Sequence, residues 1–150
     1  MRSLRRGRAI HLLDIENLTA SPLPTMAEVV RTMIEYRQHV PVGPMDQFVV
    51  GVNPRSLVEV GRVISGARFL TRSGPDGADS VLAEMAVADR VDLRFERVVI
   101  GSGDGYFAHL ASWLAAAGVH VTVVTRPRGL SWRLYAATGD ITYLNAALAA

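Results

Sequence analysis

Three aspartates stand where a twisted parallel sheet could gather them: Asp14 in HLLDIENL, Asp79 in PDGADSVL and Asp104 in VVIGSGDGYF. Asp14 and Asp104 each follow a short apolar run and lead into a polar, helix-starting sequence. Carboxylates at strand ends have few structural duties and one obvious chemical one, the holding of a divalent cation. Brought close together they repel one another, so the metal-free protein must raise a pKa or keep them wet. A hard cation relieves that repulsion. Mg2+ or Mn2+ takes oxygen ligands and keeps waters and substrate phosphates in its shell. One such ion can activate water, and two can clamp the attacking and leaving oxygens of a phosphodiester. Phosphodiester hydrolysis is therefore the first chemistry these residues suggest. Each acid also has a plainer use, because aspartate is a common helix cap worth about 1 kcal/mol. Asp79 and Asp104 both stand where a cap is useful.

The elements needed to position these acids are legible from periodicity and punctuation. Ala9 to Leu13 reads as a buried first strand ending at Asp14, and a strand covered on both faces need not alternate. From about Thr25 to Arg37 the spacing predicts a helix with Met26, Val29, Val30 and Met33 inward. Its Glu28, Arg31, Glu35 and Arg37 are expected in water. Gln47 to Gly51 is a second strand, and Asn53-Pro54 caps and opens a helix to about Val63. Ala67 to Thr71 is a third strand, Ser73 to Gly77 a turn, and Ala78 to Arg90 a helix. Arg97 to Gly101 is a fourth strand, followed by a helix from Asp104 to Ala117 that Gly118 ends. Val119 to Thr125 is a fifth strand, Leu130 to Ala137 a short helix and Ile141 to Leu144 a terminal strand. Strands alternating with helices through short joints predict an α/β fold: one Rossmann-like domain with a mostly parallel sheet flanked by helices.

In such a sheet, ligands sit beyond the carboxyl ends of the strands. Asp14 and Asp104 fall at that edge, and Asp79 opens a helix facing it. Asn17 could bond a metal-bound carboxylate or water, or only close its own turn. Glu16 points away from Asp14 if the first strand continues, and is secondary. In Gly101-Ser102-Gly103-Asp104-Gly105 the glycines permit close backbone approach to a ligand, and Ser102 could donate to a phosphate or to Asp104. No GxGxxG or Walker A motif occurs. His109, about two turns into its helix, is expected in a core or surface role. Arg72, Arg126 and Arg128 lie in predicted carboxyl-end loops and could contact backbone phosphates, or be solvated surface arginines. Trp132 and Tyr135 are expected to pack the last element rather than to stack on bases.

Composition narrows the classes. The chain has 150 residues, 49% of them apolar, which suits one domain with a sizeable core. With no cysteine, thiolate nucleophiles, disulfides and cysteine-ligated zinc are excluded. Four scattered histidines make no HExxH pattern. No apolar run reaches membrane-spanning length and no signal-peptide core follows the arginine-rich start, so a cytoplasmic, membrane-free protein is expected. All sixteen basic residues are arginines, four of them at Arg2, Arg5, Arg6 and Arg8. Residues 1–8 read as a flexible basic arm, able to touch phosphates or merely to solubilise, before a domain over 9–150. Beyond the arm, twelve arginines face fourteen acids, a net of −2, so the body is no uniformly basic nucleic-acid clamp. The absence of lysine excludes a phosphotransfer receiver, which also collects acids at strand ends but needs a lysine.

The motifs resemble those of NYN domains, in the PIN-like ribonuclease superfamily. The match consists of Asp14-x-Glu16-Asn17 after an apolar strand, Gly77-Ala78-Asp79 leading into a helix, and Ser102-Gly103-Asp104-Gly105-x-Phe107 before a helix and Ala117-Gly118-Val119-x-Val121. Their order and spacing cover roughly residues 8 to 126. The resemblance implies a Mg2+- or Mn2+-dependent endoribonuclease on a doubly wound sheet, with RNA as its partner. It implies Asp14, Asp79 and Asp104 as metal-binding acids, with Asn17 and Ser102 as supporting polar groups. Two departures stand out: the family's second acid in the third motif is here Tyr106, and the acid within its central helix falls near Glu84. Two other classes remain open: a catalytically weak or inactive RNA-binding module, and a structural domain that forms a homodimer through Thr25–Arg37 or Ala111–Ala117.

Overall fold

The computed structural model describes residues 7–144. Most of the expected basic arm, including Arg2, Arg5 and Arg6, lies outside the described residues, as does the end of the domain beyond Leu144. Six strands form one sheet: β1 (Ala9–Asp14), β2 (Gln47–Val52), β3 (Arg68–Thr71), β4 (Arg97–Gly101), β5 (His120–Thr125) and β6 (Ile141–Tyr143). Their order is β3-β2-β1-β4-β5-β6, and every pairing is parallel. The winding therefore runs outward from β1 in one direction and resumes at β4 in the other. Between β1 and β4 the loops leave towards opposite faces and open a crevice.

Both faces of the sheet are covered, which explains the apolar runs without alternation in β1 and β4. On one face, Ile10, Leu12, Val98 and Ile100 pack against α4 (Gly77–Ala88), α5 (Val91–Arg94), α6 (Ala108–Ala116) and α7 (Trp132–Ala137). On the other, Leu13, Val50, Val99 and Val124 meet α1 (Ile15–Thr19), α2 (Met26–His39) and α3 (Leu57–Val63). No helix among the described residues is long and apolar enough to cross a membrane.

Local chemistry accounts for several element ends. Thr25 and Glu28 form a reciprocal capping box at the start of α2, at 3.1 and 3.0 Å. Asn53 caps the turn into α3 with Pro54 at the first position. Gly118, at φ +83°, closes α6 in the left-handed conformation.

The first strand ends at Asp14 as expected, two short helices are added, and the buried face of α2 is corrected. Directly after Asp14 the chain turns into α1, a single helical turn whose Ile15 and Leu18 are buried. A turn so short carries no readable period, and its burial against the sheet decides it. In α2 the inward face is Val29, Thr32, Met33, Glu35 and Tyr36, while Met26 and Val30 are exposed. Glu35, expected in water, is buried because Arg126 reaches it at 3.2 Å. Val91–Arg94 forms the extra helix α5, again too short to show a period.

At the opposite end of the sheet, His11 is a buried polar link. Its ring nitrogens bond Tyr36 at 2.6 Å and Asp46 at 2.8 Å, and its face stacks on Phe48. This satisfies a polar group inside β1 and ties the strand to α2 and to the loop before β2.

Gly101 sets how closely α1 lies over β4. A Cβ there would stand 2.8 Å from Leu13 Cδ2 and 3.0 Å from Leu18 Cδ1. Gly101→Val is expected to cost about 1–3 kcal/mol in urea unfolding through overpacking. An unchanged midpoint would show that α1 yields freely.

A candidate acidic metal site at the winding reversal

The crevice between β1 and β4 opens into a cleft of about 1110 Å³. Asp14, Glu16, Asn17, Asp76, Asp79 and Asp104 line it, with Arg72, Arg126 and Arg128 around them. Asp14 ends β1, in register with Gly51 of β2, so the sheet's central hydrogen-bond ladder fixes its position. Asp104 follows β4, and its Oδ1 accepts the Tyr106 N–H at 2.9 Å, capping the 3-10 turn that begins the next helix. Asp104 thus fills the plain structural role as well as facing the cleft. Asp79 does not: it sits inside the first turn of α4, and the cap position belongs to Asp76.

Carboxylate oxygens of Asp76, Asp79 and Asp104 lie within 4.8 Å of one another. Asp14 stands behind this cluster, in hydrogen-bonding contact with Asp79. Asp79 is only 5% exposed, and its Oδ1 has no hydrogen-bond partner. A buried carboxylate oxygen without a donor is costly, and a cation bound among these oxygens would satisfy it. The donor set is all oxygen, as Mg2+ or Mn2+ requires. The residues therefore fit such an ion.

The metal-free electrostatics carry the same strain. Burial first, then the neighbouring Asp14 and Asp104, push Asp79 up to about 10. Burial likewise raises Asp14, against the opposing pull of its hydrogen bonds to Asp79 and Ser102. Two touching carboxylates cannot both ionise cheaply, so the pair holds a proton at neutral pH. Burial also raises Glu16, whose Oε1 accepts the Asn53 N–H at 2.6 Å while Oε2 has no partner.

The polar residues between the acids hold the loops still. The Ser102 hydroxyl donates to Asp14 Oδ2 at 3.2 Å and accepts the Asp104 N–H at 3.2 Å, linking the two strand-end acids. Asn17 Oδ1 accepts the Gly103 N–H at 3.0 Å, joining α1 to the loop after β4. Gly103 has no room for a side chain: a Cβ there would meet the Gly129 carbonyl at 2.1 Å and Thr125 Oγ1 at 2.3 Å. These contacts explain why this loop needs glycine, serine and asparagine where they stand.

The arginines divide. Arg126 lines the cleft, but its guanidinium is committed to the fold: Nε to the Leu18 carbonyl at 2.8 Å, and one terminal nitrogen to Glu35 and the Leu144 carbonyl, each at 3.2 Å. Arg72 lies at the rim after β3, bonded to Ser80 at 3.0 Å and ion-paired with Glu84 at 2.7 Å. Glu84 is consequently turned outward and does not line the acidic cleft. Arg128 is exposed at the rim after β5, and no ion pair holds it among the described residues. Tyr106 and His109 are exposed beside the cleft. Trp132 and Tyr135, expected to pack, are 76% and 60% exposed, because Leu134 between them takes the buried position in α7.

Sequence reasoning passed over Asp76 as a turn residue. The available signal was its place three residues before Asp79, which puts both on one side of a helix start. Its backbone is left-handed, φ +56°, a conformation uncommon outside glycine but several-fold enriched for aspartate.

No protein-family model matches the sequence, and no curated protein does. The chain is similar to a crystal structure of a protein of unknown function from Vibrio parahaemolyticus, with a TM-score of 0.59, 17% identity and 97% of each chain covered. That likeness supports the α/β fold.

Two outcomes follow from the charges. A raised Asp79 pKa means that the folded protein holds a proton that the unfolded chain, with the ordinary aspartate pKa of 3.8, releases. The resulting stability is complete below that value and is lost as pH rises towards the folded pKa. Asp79→Asn cannot ionise, so the metal-free variant is expected to exceed wild type by on the order of 2 kcal/mol at about pH 8 and to converge with it near about pH 4. A pH-independent difference in urea melts would contradict the shared proton. Arg126→Ala removes the buried 3.2 Å ion pair to Glu35 and the bonds to the Leu18 and Leu144 carbonyls, and is expected to cost about 3 kcal/mol by the same assay; a loss under about 0.5 kcal/mol would make these contacts incidental.

Proposed function

We propose that this chain is a metal-dependent endoribonuclease of the NYN, PIN-like kind, hydrolysing RNA phosphodiester bonds at the acidic cleft. The observation that carries the reading is the convergence of Asp14, Asp79 and Asp104, each from a different motif, on one crevice where the buried Asp79 Oδ1 has no partner. Chance placement of structural caps does not account for Asp79, which caps nothing.

In this reading Asp76, Asp79 and Asp104 hold Mg2+ or Mn2+, and Asp14 holds it directly or through its contact with Asp79. When bound, such an ion supplies Lewis-acid activation of water and neutralises charge developing on the phosphate oxygens. The protein's own contribution is placement. Ser102 keeps Asp14 and Asp104 in fixed relation, and Asn17 holds the Gly103 backbone against them. Arg72 after β3 and Arg128 after β5 stand on opposite sides of the β1–β4 crevice, placed to anchor phosphates flanking the one being cut. Tyr106 replaces one acid of the family pattern, and Asp76 brings a further carboxylate to the cluster from the other wall. That supports a catalytic site over the alternative of an inactive RNA-binding module.

The test is cleavage of labelled RNA with Mn2+, Mg2+ or EDTA, comparing wild type with Asp14→Asn and Asp79→Asn. Products are expected with either metal, none with EDTA, and a loss of at least about a hundredfold in each variant. Because the cation must displace the proton shared by Asp14 and Asp79, Mn2+ affinity and cleavage are both expected to rise from about pH 5 to about pH 8. Full activity in EDTA would sink the proposal.

A further inference from the structure

Beside the acidic cleft runs a second groove of about 1170 Å³, which the cleft's chemistry does not use. The two share Asp76 and Asp104 as lining residues, so they adjoin along that rim. Tyr106, Trp113 and Trp132 line it, 44%, 36% and 76% exposed, with Val87 of α4 opposite. Large rings left this open serve no core.

Both outer rings are tied by backbone to the acid-bearing loop. The Tyr106 N–H donates to Asp104 Oδ1 at 2.9 Å. The residue before Trp132 donates its own N–H, Ser131 to the Gly103 carbonyl, at 2.8 Å. A Cβ on Gly105 would stand 2.7 Å from Ser131 Oγ, so the start of α7 lies directly on the turn after Asp104. The backbone that carries these rings thus holds a set position relative to the carboxylates.

We infer that this groove is a stacking subsite for unpaired nucleobases of the RNA strand whose phosphate lies at the acidic cleft, an inference that rests on the nuclease reading for its substrate. A strand engaged at Asp76 and Asp104 has the groove immediately across that shared rim, within reach of its neighbouring nucleotide. Aromatic faces bind bases of any sequence through stacking, provided the bases are unpaired. Arg133, its guanidinium 5.9 Å from the Trp132 ring centre, adds a cation beside the backbone of such a strand. A second copy of this chain is the competing occupant. A two-fold contact over the groove would also cover Trp132 in both copies, and sedimentation of wild type against Trp132→Ala tests for it.

The test compares wild type with Tyr106→Ala, Trp132→Ala and Trp132→Phe by fluorescence anisotropy in Mg2+, which coordinates sulfur poorly. The probes are a short labelled single-stranded RNA with phosphorothioate linkages, to slow hydrolysis, and a blunt duplex of the same sequence. Each alanine variant is expected to bind the single strand about tenfold or more weakly, with Trp132→Phe close to wild type and the duplex unaffected. Equal single-strand affinity in both alanine variants, or no binding by wild type, would overturn the subsite. So would a wild-type dimer in sedimentation that Trp132→Ala converts to monomer. Cleavage of the unmodified RNA separates the two readings. Ring-dependent binding with no product in Mn2+ removes the nuclease and leaves the subsite. Metal-dependent product with ring-independent binding does the reverse.

Discussion

The rest of this structure is organised around a repulsion. Asp14 and Asp79 touch within a buried crevice, and Asp76 and Asp104 crowd the same space. Left free, such groups would separate and hydrate. They stay together because each is attached to something that cannot move cheaply. Asp14 ends one of the two central strands, Asp104 follows the other, and Asp79 belongs to a helix packed on the sheet through Leu82, Met85 and Ala86. The hydrophobic core on that face supplies the energy that keeps these carboxyl groups crowded, two of them only by sharing a proton, and a cation would relieve the crowding.

Holding acids close is not sufficient, since loops at strand ends are normally the mobile part of an α/β protein. Here they are cross-linked. Ser102 joins the two strand-end acids, Asn17 fastens α1 to the following loop, and Gly103 fits against Thr125 and Gly129 with no space to spare. Arg126 gathers the outer margin by bonding carbonyls of Leu18 and Leu144 and the Glu35 carboxylate. Its charge is consumed in that work. A site whose supports are themselves hydrogen-bonded is held in a geometry that does not need to reorganise when a ligand arrives.

Fold and chemistry are separable in this protein. A chain of unknown function with 17% identity follows the same course over nearly its whole length, and a doubly wound sheet hosts many activities. The chemistry available here lies in the side-chain set at the winding reversal: several carboxylates, no cysteine, and arginines on both flanks. The aromatic groove lies on one side only, against the turn that carries Asp104, so the surface around the acids is asymmetric.

Much of the fold was legible because its signals are local. Apolar runs bounded by turns, the Thr25 and Asn53 caps and the closing glycine at 118 act over a few residues, and they located all six strands and the longer helices. Asp14, Asp79 and Asp104 could be singled out for the same reason, each by its immediate neighbours. What the tertiary structure alone decided were relations between distant segments. Whether an arginine is free or spent depends on what packs beside it, so Arg126 and Glu35 could not be read as partners across ninety residues of chain. Asp76 looked like any turn aspartate until the helix it begins was set across from Asp104. The aromatics of α7 show the converse: a short helix has too few turns to declare its inward face, and only the placement of Leu134 against the core turned Trp132 and Tyr135 outward.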